Sequence, residues 1–180
     1  MELIIQQIAQ VFIKTITEKA LSEKIHDIDS LAGELEDDCK ATVVHIIEAV
    51  VASLNRQIRD DKIMRKEQGL LLKEKERARE IYTKVGTIDV SRDYYFDKNR
   101  LKYVSVIDHI IGVRPYERIG DTVSAEMVNS AADVSYAKSA RQVTHGRISR
   151  QSVRNHILKV SLPQEEIPEE KKVVKELHIH

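Results

Sequence analysis

Cysteine is nearly absent from this 180-residue chain, tryptophan is missing, and phenylalanine occurs twice. The single cysteine, Cys39, rules out an internal disulfide framework and fits a reducing compartment. Its acidic neighbours Glu36, Asp37 and Asp38 disfavour a thiolate, which points to a structural residue. No uninterrupted apolar run is long enough for a membrane span. The N-terminal stretch is broken by Gln6, Gln7, Gln10 and Lys14, and it has neither a basic leader nor a small-residue cleavage site. A cytoplasmic protein without membrane partners is expected. No phosphate-binding glycine loop, dinucleotide turn or zinc-spaced Cys/His set occurs, and Ser149 and Ser152 lack a companion His and Asp arrangement. No small-molecule substrate is therefore expected.

Net charge is also absent, but only in total. Residues 1–55 carry −6 and residues 56–82 carry +3. Between Ser124 and Val160 six cations face Glu126 and Asp133 alone, a local +4. An acidic half and one basic element predict phosphate attraction confined to one face.

That basic element is VSYAKSARQVTHGRISRQSVRNHILKV, Val134 to Val160. Ser135 can cap a helix from Tyr136 to Thr144, in which Ala137 and Ala140 would let another helix cross closely. His145-Gly146-Arg147 forms a turn, and Ser149 caps a second helix. Val153 and Ile157 should face inward, with Leu158 and Val160 beside them. Arg150, Gln151, Arg154 and Asn155 would face outward, and forked or amide side chains of this kind read base edges in a major groove. Ser149 and Ser152 would meet phosphate, while Lys138, Arg141, Arg147 and Lys159 supply longer-range attraction. A structural αα-hairpin fits the same pattern, and the local charge favours DNA. A supporting helix is expected from Thr122 to Ala132.

The rest of the chain predicts a mainly α protein with one β-hairpin. An N-terminal helix to about Leu21 and a long helix from about Ser30 to Ile58 form a helical hairpin, able to pack internally or against a second copy. Asn55 to Tyr82 alternates charges at helical spacing and predicts a solvated helix or connector. From Val85 to Val106 the period switches to two, with a turn at Asp97 to Arg100, which predicts the β-hairpin. Its aromatics (Tyr94, Tyr95, Phe96 and Tyr103) fit cross-strand packing better than a nucleic-acid grip that would use Arg92, Lys98, Arg100 and Lys102. The expected divisions are 1–82 helical, 83–120 hairpin and connector, 121–160 helix-turn-helix unit, and 161–180 acidic linker with a strand at Val173–His180. His178 and His180 form a His-x-His pair, which a strand end explains more simply than a metal.

The series YTKVGTIDVSRDYY, YVSVIDHIIGVRPYERI, VSYAKSARQVT and ISRQSVRNHI resembles the N-terminal half of bacterial insertion-sequence transposases of the ISLre type, over nearly the whole chain and in the same order. That resemblance implies binding of double-stranded DNA at the element's ends. It also implies cutting by a carboxylate triad and a divalent metal such as magnesium, in a ribonuclease-H-type domain. Val173–His180 resembles the first strand of that domain, but no aspartate follows. The expectation is a truncated transposase with no catalytic residue, no metal site and no cofactor of its own. The alternative is a DNA-binding transcription regulator dimerising through residues 1–80.

Overall fold

The computed structural model describes residues 2–21, 27–144 and 146–159. His145, Val160, the expected 161–180 linker and the strand and histidine pair at Val173–His180 lie outside the described residues. Those described are mostly helical, with a three-stranded antiparallel sheet in the order β1-β2-β3.

Helices α1 (Glu2–Ala20) and α2 (Ile28–Asp60) form the N-terminal hairpin. Asp27 caps α2 by accepting from the Ser30 N–H at 2.7 Å. Lys19 reaches across to Asp38 at 2.7 Å, so the two helices run antiparallel. Helix α1 buries no residue fully, and Leu3, Val11 and Ile13 are exposed. Cys39 is exposed as well, which corrects its expected structural role: the helical phase there turns it to solvent. The far end of α2 is different, because Val51, Asn55 and Ile58 are buried against the sheet.

Residues 55–82 do not form a solvated helix. After α2 and the single turn of α3 (Lys62–Glu67), Gly69 takes φ +69° and the chain enters β1 (Leu70–Thr83). β1 pairs antiparallel with β2 (Gly86–Asp97) through a two-residue loop, where the Thr83 hydroxyl donates to the Gly86 carbonyl at 2.7 Å. β3 (Lys102–Val104) completes the sheet, so one hairpin becomes three strands. Two register shifts in β1 and a positive φ at Glu76 bend the first pair. Phe96 and Tyr103 sit opposite each other, edge to face at 5.4 Å, as expected for cross-strand packing.

Two cores result. One joins Val51 and Ile58 to Leu70, Ile81, Ile88, Val90, Tyr95 and Ile107 of α4 (Val106–Ile110). The other lies among α5 (Asp121–Asp133), α6 (Tyr136–Thr144) and α7 (Arg150–Lys159), around Val123, Met127, Ala140, Ile148 and Val153. Tyr82 stitches them together. Its N–H donates to Arg118 and its carbonyl accepts from Gly120, at 2.7 and 2.9 Å.

Candidate nucleic-acid interface

Small and hydroxyl side chains set the three-helix unit. Ser139 and Ala140 are both buried, and the Ser139 hydroxyl donates to the Met127 carbonyl at 3.0 Å, binding α6 closely to α5. Ala137, expected beside Ala140 at that crossing, is half-buried. Thr144 closes α6 by donating to the Ala140 carbonyl at 2.7 Å and accepting from the Ile148 N–H at 3.3 Å. Gly146 then takes φ +78°, a conformation glycine adopts at little cost. Ser149 caps α7, its hydroxyl accepting from the Ser152 N–H at 3.2 Å. The bonds of Thr144 and Ser149 span no more than four residues, which is why these helix limits were legible in the sequence.

On α7, Val153 is fully buried and Ile157 half-buried, as their spacing of four requires. Leu158 corrects the expectation, being 69% exposed. Five residues past Val153 it is rotated about 140° from the buried line. Arg150, Gln151, Arg154 and Asn155 are exposed together. Gln151 donates to Asn155 at 3.2 Å, which leaves the Gln151 carbonyl oxygen and the Asn155 amide free to meet base edges. Lys138, Arg141, Arg147, Ser149 and Lys159 are exposed too, and Ser152 is half-buried. Among the described residues none of the six cations in this unit forms an ion pair. Arg147 is committed in another way, donating from Nη1 to the Thr87 hydroxyl of β2 and so tying the turn before α7 to the sheet.

One titrating group lies beneath this face. His156 Nδ1 is 3.0 Å from the Ser124 hydroxyl, and burial, with help from Lys159, holds its pKa below the ordinary value against the pull of Glu117. Its charged form is thereby disfavoured beneath the basic face.

Two buried charge clusters escaped the sequence reading. Arg59 grips Asp93 with two bonds of 2.6 and 2.9 Å, while Asp93 also accepts from the Glu76 N–H at 2.9 Å. Burial alone would push the Asp93 carboxyl up; the Arg59 guanidinium and the backbone donor win and hold it below its usual range. Arg79 and Arg92 share Asp108, at 3.3 and 2.7 Å from its Oδ2. Arg79 also donates to the carbonyls of Arg114 and Glu117. Burial lowers the Arg79 pKa from its ordinary value. Arg92, considered as a DNA contact, is therefore a buried structural residue, whereas Lys98, Arg100 and Lys102 are exposed. No signal in a charged run marks which arginine is buried, because that depends on strand pairing.

Among the described residues no group of three or more His, Cys, Asp or Glu side chains is placed to hold a metal ion. Among those residues, too, no helix is long and apolar enough to cross a membrane.

Fold and surface together define a mostly helical protein with a small antiparallel sheet and a three-helix unit that is basic on its outer side. The chain belongs to UPF0236, an uncharacterised protein family whose profile matches residues 21–179. Similar proteins of that family occur in Caldanaerobacter subterraneus subsp. tengcongensis. One is 30% identical over 133 residues, covering 74% of this chain and 27% of its own length, and its name joins eleven locus designations. A second, bearing four designations, is 29% identical over 133 residues with the same coverage. The chain thus spans about a quarter of the length of the curated relatives it matches. No solved structure matches it.

Proposed function

We propose that the chain is the DNA-binding part of an insertion-sequence transposase of the ISLre type, recognising double-stranded DNA at the ends of its element. In this reading α5, α6 and α7 form a helix-turn-helix unit. Helix α7 lies in the major groove, with Arg150, Gln151, Arg154 and Asn155 on base edges. Ser149, Ser152 and the start of α7 meet phosphate, and Lys138, Arg141 and Lys159 add attraction that salt screens. Arg147 contributes charge while holding the turn against the sheet. The cutting step, with its carboxylates and divalent metal, is assigned to the length of such proteins that this chain does not span. The chain itself is proposed to have no nuclease activity.

One observation carries this reading: the apolar side of α7 is buried at Val153 while its four polar side chains and the unit's cations, none in an ion pair among the described residues, face solvent. The naming of a single relative at eleven loci lends support, since an element that copies itself leaves identical genes at many places. The test is fluorescence anisotropy with duplex from the flanks of the gene and with a scrambled duplex, across a salt series. Tighter binding to the flank sequence, falling linearly in log salt, is expected. Absence of binding even at low salt would sink the DNA reading.

The regulator reading draws on a different observation, the exposed Leu3, Val11 and Ile13 of α1. It requires residues 1–80 to form a homodimer. Light scattering separates the two: a dimer that persists at nanomolar concentration and binds a palindrome would favour regulation.

A further inference from the structure

Tyr116 occupies a position that backbone sterics normally give to glycine or asparagine. Between α4 and α5 the chain reverses at Arg114–Glu117, where the Glu117 N–H donates to the Arg114 carbonyl at 3.2 Å. Pro115 is the second residue of this turn and Tyr116 the third, with φ +64°. Proline followed by a positive φ is the type II arrangement, and a bulky side chain at its third position is strained. Strain of this kind persists only where the surroundings over-determine it, and it clusters at functional sites. Here the surroundings do so. The buried Arg79 guanidinium, itself paired with Asp108, clasps the turn from within by donating to the carbonyls of Arg114 and Glu117.

Folding gains nothing from the ring so displayed, because Tyr116 is 100% exposed. Its neighbours indicate what it faces. Arg118 is exposed. The Arg114 side chain is 71% exposed and meets Glu117 and Asp121 only at 3.7 and 3.9 Å, distances worth little at a surface. The turn also adjoins the DNA-binding unit: the Arg118 carbonyl accepts from the Tyr82 N–H at 2.7 Å, and the next residue, Ile119, is buried in the core of α5, α6 and α7. An exposed aromatic ring in a turn that also exposes Arg114 and Arg118 suits a nucleobase unstacked at the margin of a duplex, with phosphates nearby. A protein partner would call for an apolar rim instead, and the rim here is Arg114, Pro115, Glu117 and Arg118.

We propose that Tyr116 is a second DNA contact, its ring stacking on a nucleobase at the margin of the bound site while Arg114 and Arg118 hold the adjoining phosphates. The proposal rests on the DNA-binding reading of α7 and adds to it a base contact outside the helix-turn-helix unit.

The experiment uses the full chain and the flank duplex, with 2-aminopurine placed at successive positions. Tyr116→Phe keeps the ring, Tyr116→Ala removes it, and Tyr116→Gly removes ring and strain together; Arg154→Ala serves as the control on α7. Tyr116→Ala should weaken binding about tenfold with an unchanged salt slope, and Tyr116→Phe should bind as the parent does. The 2-aminopurine signal should respond at one marginal position with Tyr or Phe and lose that response with Ala. Tyr116→Gly should melt at a higher temperature than the parent yet bind more weakly, which a merely structural role would not produce. Unchanged affinity in the Ala and Gly variants, with Arg154→Ala still impaired, would overturn the stacking contact, leave the α7 reading standing and point to a protein surface over the ring. If the parent protein binds no DNA at low salt, both readings fall together.

Discussion

Arg154 and Lys138 are both exposed cations of the three-helix unit, yet they differ in the geometry they offer. Arg154 is exposed on α7 about 100° around the helix from Val153, and its planar fork has the shape to meet a guanine edge. Arg154→Ala should cost about 1–3 kcal/mol of affinity and relax preference at one base pair. Lys138→Ala should weaken all sequences alike and reduce the salt slope by about one, and anisotropy with a panel of single-base variants distinguishes the two. His156 is a third case, acting on stability. Its folded pKa lies below the ordinary 6.5, so the unfolded chain binds the extra proton more readily. Its contribution is fully present above pH 6.5 and is lost as pH falls from there through the depressed folded value. Melting temperature should therefore fall on that acid side, and His156→Gln should flatten this part of the profile.

At the scale of elements, two joints hold the arrangement. The first is the approach of α6 to α5, where Ala140 and Ser139 leave no room for a longer side chain. Ala140→Leu should destabilise the unit by about 1–3 kcal/mol in urea titrations, with DNA affinity falling in parallel. The second fastens α2 to β2 through Arg59 and Asp93. Asp93→Ala would remove the buried partner of the Arg59 guanidinium and leave it only the exposed Glu76 at 2.9 Å, and a loss of about 2–4 kcal/mol in urea unfolding is expected. The helices α5, α6 and α7 were legible because their caps, turn glycine and apolar spacing are neighbours in sequence. β2 and β3 were legible from alternation and the turn at Asp97. β1 was not. Residues 73–78 are all exposed, so the strand lacks an alternating apolar face, and its Lys, Glu and Arg residues fall at spacings that also suit a helix. Pairing with β2, which lies later in the chain, decides the matter. The same dependence hid the burial of Arg79 and Arg92. It left the surface of α7 readable, because an exposed helical face needs no distant partner.

Across the whole molecule, charge and shape divide along the chain. The acidic N-terminal hairpin extends on α2, whose 33 residues span roughly 50 Å, while the basic unit stands at the opposite end of the sequence order. In the proposed complex, like charges of the hairpin and of DNA repel, so the duplex should lie against the three-helix unit and away from α1. Removing negative charge from the exposed start of α2, as in Glu36→Gln with Asp37→Asn, should raise nonspecific DNA affinity at low salt while leaving preference among duplexes unchanged. Among the described residues the sheet's margins are β1, which Ile119 bridges only at Tyr82, and β3. β1 bears Lys73, Glu74, Lys75, Glu76 and Arg77 in succession with two shifts of register, and β3 has only three residues. Neither margin is long, flat and apolar, which is what a second chain needs in order to add a strand. The charges that disguised β1 as a helix thus act as gatekeepers: they keep the sheet from polymerising edge to edge, and the protein should remain free of fibrils when its concentration rises.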